Sequence, residues 1–326
     1  RMVETKQKSK ISILVITFNH EKFIGEALDG ILKQRVEVPI EIIIADDCST
    51  DSTLQVAYRY QAEHPDIIKI LTTEKNLGHT HNYVRAWEMA RGDYIAHCDG
   101  DDYWTEPYKL ARQLDFLERN PSYSSCGHKV WAKTDSDGIL LGPIPRIEQT
   151  IFTTKDMLDN CYPHNCSLLF RNKLFCSFPD FFFLLTGHDW CIDILNSLKG
   201  PIKIFPEVMA VWRMRSDGLW GGRQATFHLE HNISFLKHLK DYLPKKYHRA
   251  VAKNLIKNYF LLSHESLKQG DTQKSIECLA QILTLKSFFI LSFRKFLSLI
   301  MQLKFPKLYS SLRGLRNQTV GEPPLI

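Results

Sequence analysis

The feature that most constrains this chain is an alternation, repeated over residues 11–119, of short apolar runs with longer segments of helical period. Residues 11–16, Ile-Ser-Ile-Leu-Val-Ile, are almost wholly apolar, as expected of a strand covered on both faces. Residues 22–34 then carry apolar side chains at Phe23, Ala27, Leu28, Ile31 and Leu32, the spacing of one helix face. The same alternation predicts strands at 40–45, 67–71 and 93–98. It predicts helices at 51–63, with an Asp/Ser/Thr-rich start suited to capping, at 80–91, closed by Gly92, and at 107–119, with Pro107 in the first turn. Such a rhythm calls for a largely parallel sheet with helices on both faces. Ligands of such sheets bind outside the carboxyl ends of the strands.

Polarity is concentrated at those ends. The first strand runs into Thr17-Phe18-Asn19, the second into Asp46-Asp47 and the fourth into Asp99-Gly100-Asp101-Asp102, while the strand interiors stay apolar. Three carboxylates within four residues repel one another unless a cation lies among them. A hard divalent ion bound by carboxylate and phosphate oxygens suits that place, and a solvated acidic turn is the alternative for so short a motif. Phe18 offers a face for a nucleobase and Asp47 an acceptor for its N–H. Taken singly, core packing and helix capping account for these two residues equally well.

Beyond residue 121 the periodicity is mixed, with short strands expected at 125–133, 166–170, 202–205 and 208–212 and a helix at 188–199. From 224 onward it is helical: 224–242, 245–269, 272–284 and 288–302, with Gly221-Gly222 as the boundary. Charge divides in the same way. Residues 1–223 hold 26 Lys and Arg against 30 Asp and Glu, and residues 224–326 hold 16 against 6. The basic excess directs the C-terminal region toward an anionic surface. Residues 287–304 are densely apolar, with Arg294, Lys295 and Lys304 on or beside them. Two readings stand: a basic amphipathic helix in the interface of an anionic membrane, or a helix docked on the protein itself or on a second subunit in a homo-oligomer.

The eight cysteines are scattered without a C-x-x-C pair, the polar start lacks a signal-peptide core, and no uncharged apolar run reaches eighteen residues. The expectation is a cytoplasmic protein with reduced thiols, able to sit peripherally on the inner face of the cell membrane. No G-x-G-x-x-G follows the first strand, and neither a G-x-S-x-G elbow nor a Walker lysine motif is present. His79, His81, His97, His128 and His164 lack zinc-ligand spacing, and no nucleic-acid partner is expected.

Taken in order, Ile-Ser-Ile-Leu-Val-Ile-Thr-Phe-Asn, Ile-Ile-Ile-Ala-Asp-Asp-Cys-Ser-Thr-Asp, Asn76-Leu77-Gly78, Gly92-Asp-Tyr-Ile and Asp99-Gly-Asp-Asp-Tyr-Trp resemble glycosyltransferase family 2, across about residues 10–220. The resemblance implies a GT-A fold, a Rossmann-like α/β/α sandwich with a mixed, mostly parallel sheet, followed here by an α-helical C-terminal region. It implies a flexible lead at 1–10 and a catalytic domain at 11–222, of which 11–121 binds the nucleotide sugar and 122–222 the acceptor. The basic helical region is 223–326. It further implies an inverting enzyme of hexosyltransferase type. The donor expected is a nucleotide sugar, a UDP-sugar first, and the acceptor a glycan or glycolipid of bacterial surface polysaccharide synthesis. Thr17 and Phe18 then line the base pocket, Asp47 holds the base, Asp99 contacts the ribose, and Asp101 of the D-x-D motif holds Mg2+ or Mn2+. Asn19, Asn82, Gly100, Arg213 and Arg215 complete the donor contacts.

Thr186-Gly-His188-Asp189-Trp190 is similar to the family's acceptor-side segment, which makes Asp189 the catalytic base. A carboxylate beside Trp190 is expected to have a raised pKa, suited to taking a proton near neutral pH. The later segment Trp212-Arg213-Met-Arg215 departs from the family, because Arg215 stands where histidine is usual. A guanidinium cannot ligate a metal, so either the ion relies on Asp101 and the diphosphate or Arg215 brings positive charge to the leaving group itself. Two rival readings are disfavoured. A nucleotidyltransferase needs a Gly-rich basic loop, and residues 17–22 contain no glycine. A non-catalytic sugar-binding module predicts a broken base position, yet Asp189 is intact.

Overall fold

The computed structural model describes residues 10–159 and 163–284. The apolar segment at 288–302 lies outside the described residues. The chain divides into two compact units between Gly222 and Arg223.

In the first unit β1 (Ile11–Thr17), β2 (Ile40–Asp46), β3 (Ile68–Leu71) and β4 (Tyr94–His97) run parallel in the order β3-β2-β1-β4. Every residue of β1 is buried, which is why that run carries no solvent-side alternation. One face, built on Ile11, Ile13, Val15, Ile42 and Ile44, packs Ile24, Leu28 and Ile31 of α1 (Ile24–Leu32), Ala57 of α2 (Thr53–Glu63) and Leu110, Leu114 and Leu117 of α4 (Lys109–Arg119). On the other face Leu14, Ile16 and Ile43 are equally buried, and α3 (His79–Met89) packs against β1 and β2. Alternation is what sends successive side chains into these two layers.

The sheet continues in mixed sense. β4 pairs antiparallel with β9 (Leu169–Arg171), β9 antiparallel with β6 (Ser125–Thr134), and β6 parallel with β10 (Ile202–Met214). The two-residue β5 (Tyr103–Trp104) closes that edge against β10, while β7 (Leu140–Ile144) flanks β6 and β8 (Ile151–Phe152) flanks β10. The two strands expected at 202–205 and 208–212 are one, with register shifts between Phe205 and Val208 and between Val208 and Ala210. Pro206, which has no amide to donate, sits at the irregularity. Residues 165–167 form a 3-10 turn before β9, so the strand expected there is shorter. The short helices α5 (Thr154–Leu158) and α6 (Asp189–Ser197) pack on one another.

Gly92 does not cap α3, which ends at Met89. Its amide donates to Ser12 Oγ, and a Cβ there would lie 2.6 Å from the Ser12 amide nitrogen. Gly30 is equally confined, since an added Cβ would meet the Trp104 carbonyl oxygen at 2.7 Å and its nitrogen at 3.0 Å. Both neighbours are backbone and cannot rotate away. Gly30→Ala is therefore expected to cost about 1–3 kcal/mol of stability, the usual scale of overpacking, measured as a fall in denaturation midpoint without a change in m-value.

The second unit contains α7 (Ala225–Tyr242), α8 (His248–Lys268) and α9 (Thr272–Thr284), with α8 packed against both others. Ile233, Leu236 and Leu239 of α7, Val251, Leu255 and Leu262 of α8, and Leu279 and Ile282 of α9 are its core. The Ser263 and Ser275 hydroxyls, 2.6 Å apart, satisfy each other inside it. Among the described residues no helix is long and apolar enough to cross a membrane.

Candidate active site

The carboxyl ends of β1 and β2 are locked together by their own loops. Asn19 takes a left-handed backbone (φ 54°), its amide donates to Ser49 Oγ, and its side-chain oxygen accepts from the Thr50 amide and hydroxyl. Asn19 thus ties the two loops together. Asp46 accepts from the Ser49 amide and hydroxyl. Asp47 accepts from the amides of Leu77 at 2.7 Å and Gly78 at 2.9 Å, so it anchors the Asn76-Leu77-Gly78 turn beside β2. Gly78, at φ 86°, supplies the backbone conformation that presents both amides to one carboxylate. Phe18, by contrast, is 41% exposed at the end of β1.

Asn82 is fully buried. It donates to the Ala45 carbonyl and accepts from Arg85, so its amide holds the end of β2. Gly100 is required by space. A Cβ there would lie 2.7 Å from Thr17 Oγ1 and 2.8 Å from His20 Nδ1, two buried polar atoms without a partner among the described residues.

The three acidic residues of the 99–102 loop have different fates. His97 Nε2 lies 2.9 Å and His79 Nε2 3.5 Å from Asp99 Oδ1. Burial pushes Asp99 up, but the two imidazoles outweigh it and hold the carboxyl well below the usual range. Asp102 is buried, and burial reinforced by Asp101 and Asp99 pushes it well above that range; its Oδ1 accepts from the Arg213 amide. Asp101, its side chain 19% exposed, has Oδ2 3.2 Å from Arg215 Nη1 and 3.5 Å from His20 Nε2. Asp99 is exposed to the same extent, so what sets Asp101 apart is its closer partner, a guanidinium in place of an imidazole.

The two arginines divide similarly. Arg213 donates to the Asp101 carbonyl and to Glu26, and its guanidinium lies over Tyr103 and Phe23 at 4.5 and 5.0 Å. It clamps the acidic loop to α1. Arg215 reaches Asp101 and is held from behind by a bidentate pair with Asp217. Burial opposes its charge, but Asp217 and Asp101 more than offset this.

On the facing side, Asp189 opens α6, where the helix dipole favours a negative charge. Its side chain is 33% exposed and its Oδ1 is buried without a partner among the described residues. Burial raises its pKa above the ordinary carboxylate value, with the positive field of His79 opposing. His188, fully buried, stacks on His79 with centroids 4.7 Å apart, and its Nε2 lies 3.8 Å from Asp189 Oδ1. His79 therefore stands between Asp99 and Asp189, and Tyr83 packs 4.1 Å from the His188 ring.

Sequence reasoning passed over this histidine set because the members are far apart in the chain. The available signals were the His188-Asp189 pair and the position of His79 directly after the Asn-Leu-Gly turn. His164 falls elsewhere, with Asp102 and Cys166, and the three offer ligand atoms within 4.8 Å of one another. Burial keeps that trio neutral, raising Asp102 and the Cys166 thiol and lowering His164 to about 4.

A mixed α/β sheet whose parallel half carries an acidic loop at its strand ends, and whose mixed half brings a further carboxylate up to that loop, defines the GT-A class. The likeness to solved structures agrees. Staphylococcus aureus TarS 1-349 in complex with UDP-GlcNAc superposes with TM-score 0.63 at 20% identity, over 94% of this chain and 87% of that one. The mannosyltransferase PcManGT of Pyrobaculum calidifontis, in complex with GDP-Man and Mn2+, gives 0.54 at 16% identity, over 95% and 84%. Residues 12–177, just over half of the chain, match glycosyl transferase family 2, and the chain belongs to that family. Among curated proteins it is 35% identical over 211 residues to Rv1520 of Mycobacterium tuberculosis, covering 64% of this chain and 60% of that protein. It is 32% identical over 130 residues to the putative teichuronic acid biosynthesis glycosyltransferase TuaG of Bacillus subtilis, covering 40% and 50%.

Proposed function

We propose that the chain is an inverting hexosyltransferase that moves a sugar from a nucleoside-diphosphate donor, a UDP-sugar first, to a hydroxyl of a glycan or glycolipid in surface polysaccharide synthesis. The observation that carries this reading is the approach of Asp99 and Asp189, 90 residues apart in sequence, to the two sides of one stacked imidazole pair, Asp99 3.5 Å from His79 and Asp189 3.8 Å from His188. One carboxylate belongs to the loop where a donor diphosphate ends, and the other is a partly exposed base facing it. The UDP-GlcNAc and GDP-Man complexes of the fold's relatives and the teichuronic acid role in TuaG's name support donor and acceptor classes respectively. Acceptors of that kind are presented at the inner face of the cell membrane, where the basic C-terminal region suits the surface.

Inversion needs the acceptor hydroxyl to lose its proton as it attacks the anomeric carbon from the face opposite the leaving nucleotide. Asp189 takes that proton, and its raised pKa brings it closer to the operating pH. Asp99, held ionised by His97 and His79, accepts from the donor's ribose hydroxyls. Phe18 stacks on the base, and Arg215 adds positive charge beside the diphosphate. The donor set suits a hard divalent ion: Asp101 offers carboxylate oxygen and would hold Mg2+ or Mn2+, while burial pushes Asp102 well above the usual carboxylate range. Bound at Asp101, the ion supplies neutralisation of the charge developing on the leaving diphosphate.

Phe18→Ala and Asp47→Ala are expected to weaken binding of UDP itself, the first by about ten-fold, within the range for losing one stacked base. Asp47→Ala acts by releasing the 76–78 turn as well as its base contact. Titration calorimetry with UDP measures both, and unchanged affinity in the two variants overturns the base-pocket placement. Hydrolysis assayed across a donor panel then identifies the sugar.

A further inference from the structure

Asp189 is the first of three polar residues on one face of α6. Asp193 and Asn196 follow it at separations of four and three, so at 100° per residue all three lie within about 60° of arc. A stripe of this kind is ordinary on a helix facing water, but here Asp193 and Asn196 are fully buried. Both oxygens of Asp193, both polar atoms of Asn196 and Oδ1 of Asp189 have no hydrogen-bond partner among the described residues. Buried polar atoms of folded proteins are nearly always bonded, and where no protein group reaches them ordered water does so. Five such atoms in a row, beginning on the residue assigned as base, are more than packing requires. The apolar neighbours Cys191, Ile192, Ile194 and Leu195 already bury the rest of the helix.

We propose that Asp193 and Asn196 are positioning residues for the base: a hydrated polar stripe inside α6 that fastens the inner oxygen of Asp189 and leaves its outer oxygen to the acceptor. This rests on the assignment of Asp189 as base. Asp193 serves as a neutral acid. Burial, with the nearby Asp189 adding to it, pushes its carboxyl well above the usual range, so it brings a proton to the stripe and no second negative charge. The charged groups around it are few. On its own helix there is Asp189. On α5, packed against α6, Lys155 is exposed and Asp156 is bound to the Thr153 hydroxyl and amide. His188, at the helix start, is neutral because burial and His79 push it well below the usual value. No cation among these neutralises Asp193. Asn196 extends the stripe with a donor and an acceptor that need no charge. A hydrogen bond donated to the charged form of Asp189 holds its orientation and keeps burial from raising its pKa further.

The sign of the pH dependence follows. An acid with a raised folded pKa leaves the unfolded state binding fewer protons above the ordinary carboxylate pKa, so stability falls as pH rises from there toward the folded pKa. Asp193→Asn removes that penalty while retaining shape. Its melting temperature relative to the parent is expected to rise progressively as pH climbs from the ordinary carboxylate range toward the raised folded value. A constant difference, or a loss that is largest at pH 8 as for an ionised carboxylate holding a cation, overturns the proposal. This arm uses no activity and so stands apart from failure of the base assignment, which an active Asp189→Asn would reveal. In turnover, Asp193→Leu is expected to lower kcat by about ten- to a hundredfold with donor KM held, the scale for a misplaced reacting group. The acid limb of kcat should move to higher pH, and Asp193→Asn should recover most of the loss. An acid limb that does not move in Asp193→Leu, or equal losses in the two variants, refutes the positioning role. If Asp193→Leu does not fold, the melting series of Asp193→Asn decides alone.

Discussion

With Asp189 as the proposed base, Asp189→Asn is expected to lower turnover by about two to four decades, the scale of losing a general base, and to leave the affinity for UDP nearly unchanged. The separation of the two effects comes from the geometry. Asp189 belongs to α6, whereas Phe18, Asp47 and Asp99 lie at the ends of β1, β2 and β4. What joins them is His79, which lies 3.5 Å from Asp99 and stacks on His188, so removing the Asp189 charge perturbs the donor side only through an imidazole. The raised pKa of Asp189 also sets the pH profile: activity requires the ionised carboxylate, so kcat falls as pH drops through a value above the ordinary carboxylate range. Stopped-assay kinetics beside UDP calorimetry measure the split. Loss of UDP binding with turnover retained places the base elsewhere.

Asp101→Asn is expected to lower turnover by about 10²–10³-fold or more, the scale of removing one electrostatic stabiliser of a leaving group, and to weaken UDP mainly when metal is present. Two partners lose by the change. The divalent ion loses its protein oxygen, and Arg215 loses one of the two carboxylates that fix its guanidinium, remaining paired with Asp217. Arg215 cannot replace the ion as a ligand, but it keeps a positive charge beside the diphosphate. Some nucleotide affinity is therefore expected to persist in chelator. Equal activity in chelator and in manganese, with Asp101→Asn unaffected, overturns the metal assignment.

The parallel half of the sheet was legible in the sequence because its inner strands β1, β2 and β4 are buried on both faces and each helix on one. Burial on both faces writes itself as an unbroken apolar run such as residues 11–16, and the polar residues that interrupt it mark the strand ends. The acidic loop was legible for the same reason. The mixed half was less so: β5 and β8 have two residues each, too few for any period, and the bulge within β10 makes one strand look like two. The apolar segment at 288–302 lies outside the described residues, and its two readings are untouched by the fold.

Chain order and residue type determined the layers, the family motifs and which residues carry charge near the strand ends, because those follow from local pattern alone. Which of those residues are already bonded within the fold was decided by tertiary structure. Asn82 and Arg213 are as polar as Phe18 is apolar, yet the first two are consumed by Ala45, Arg85, Asp101 and Glu26, and Phe18 is the one left exposed. The histidines at 79, 97 and 188 read as scattered in one dimension and meet around Asp99 and Tyr83 in three. A buried hydrogen bond depends on distances between segments tens of residues apart, and sequence period carries no record of them. The fate of each polar side chain, bonded inward or free to bind, therefore becomes definite only when the chain is packed.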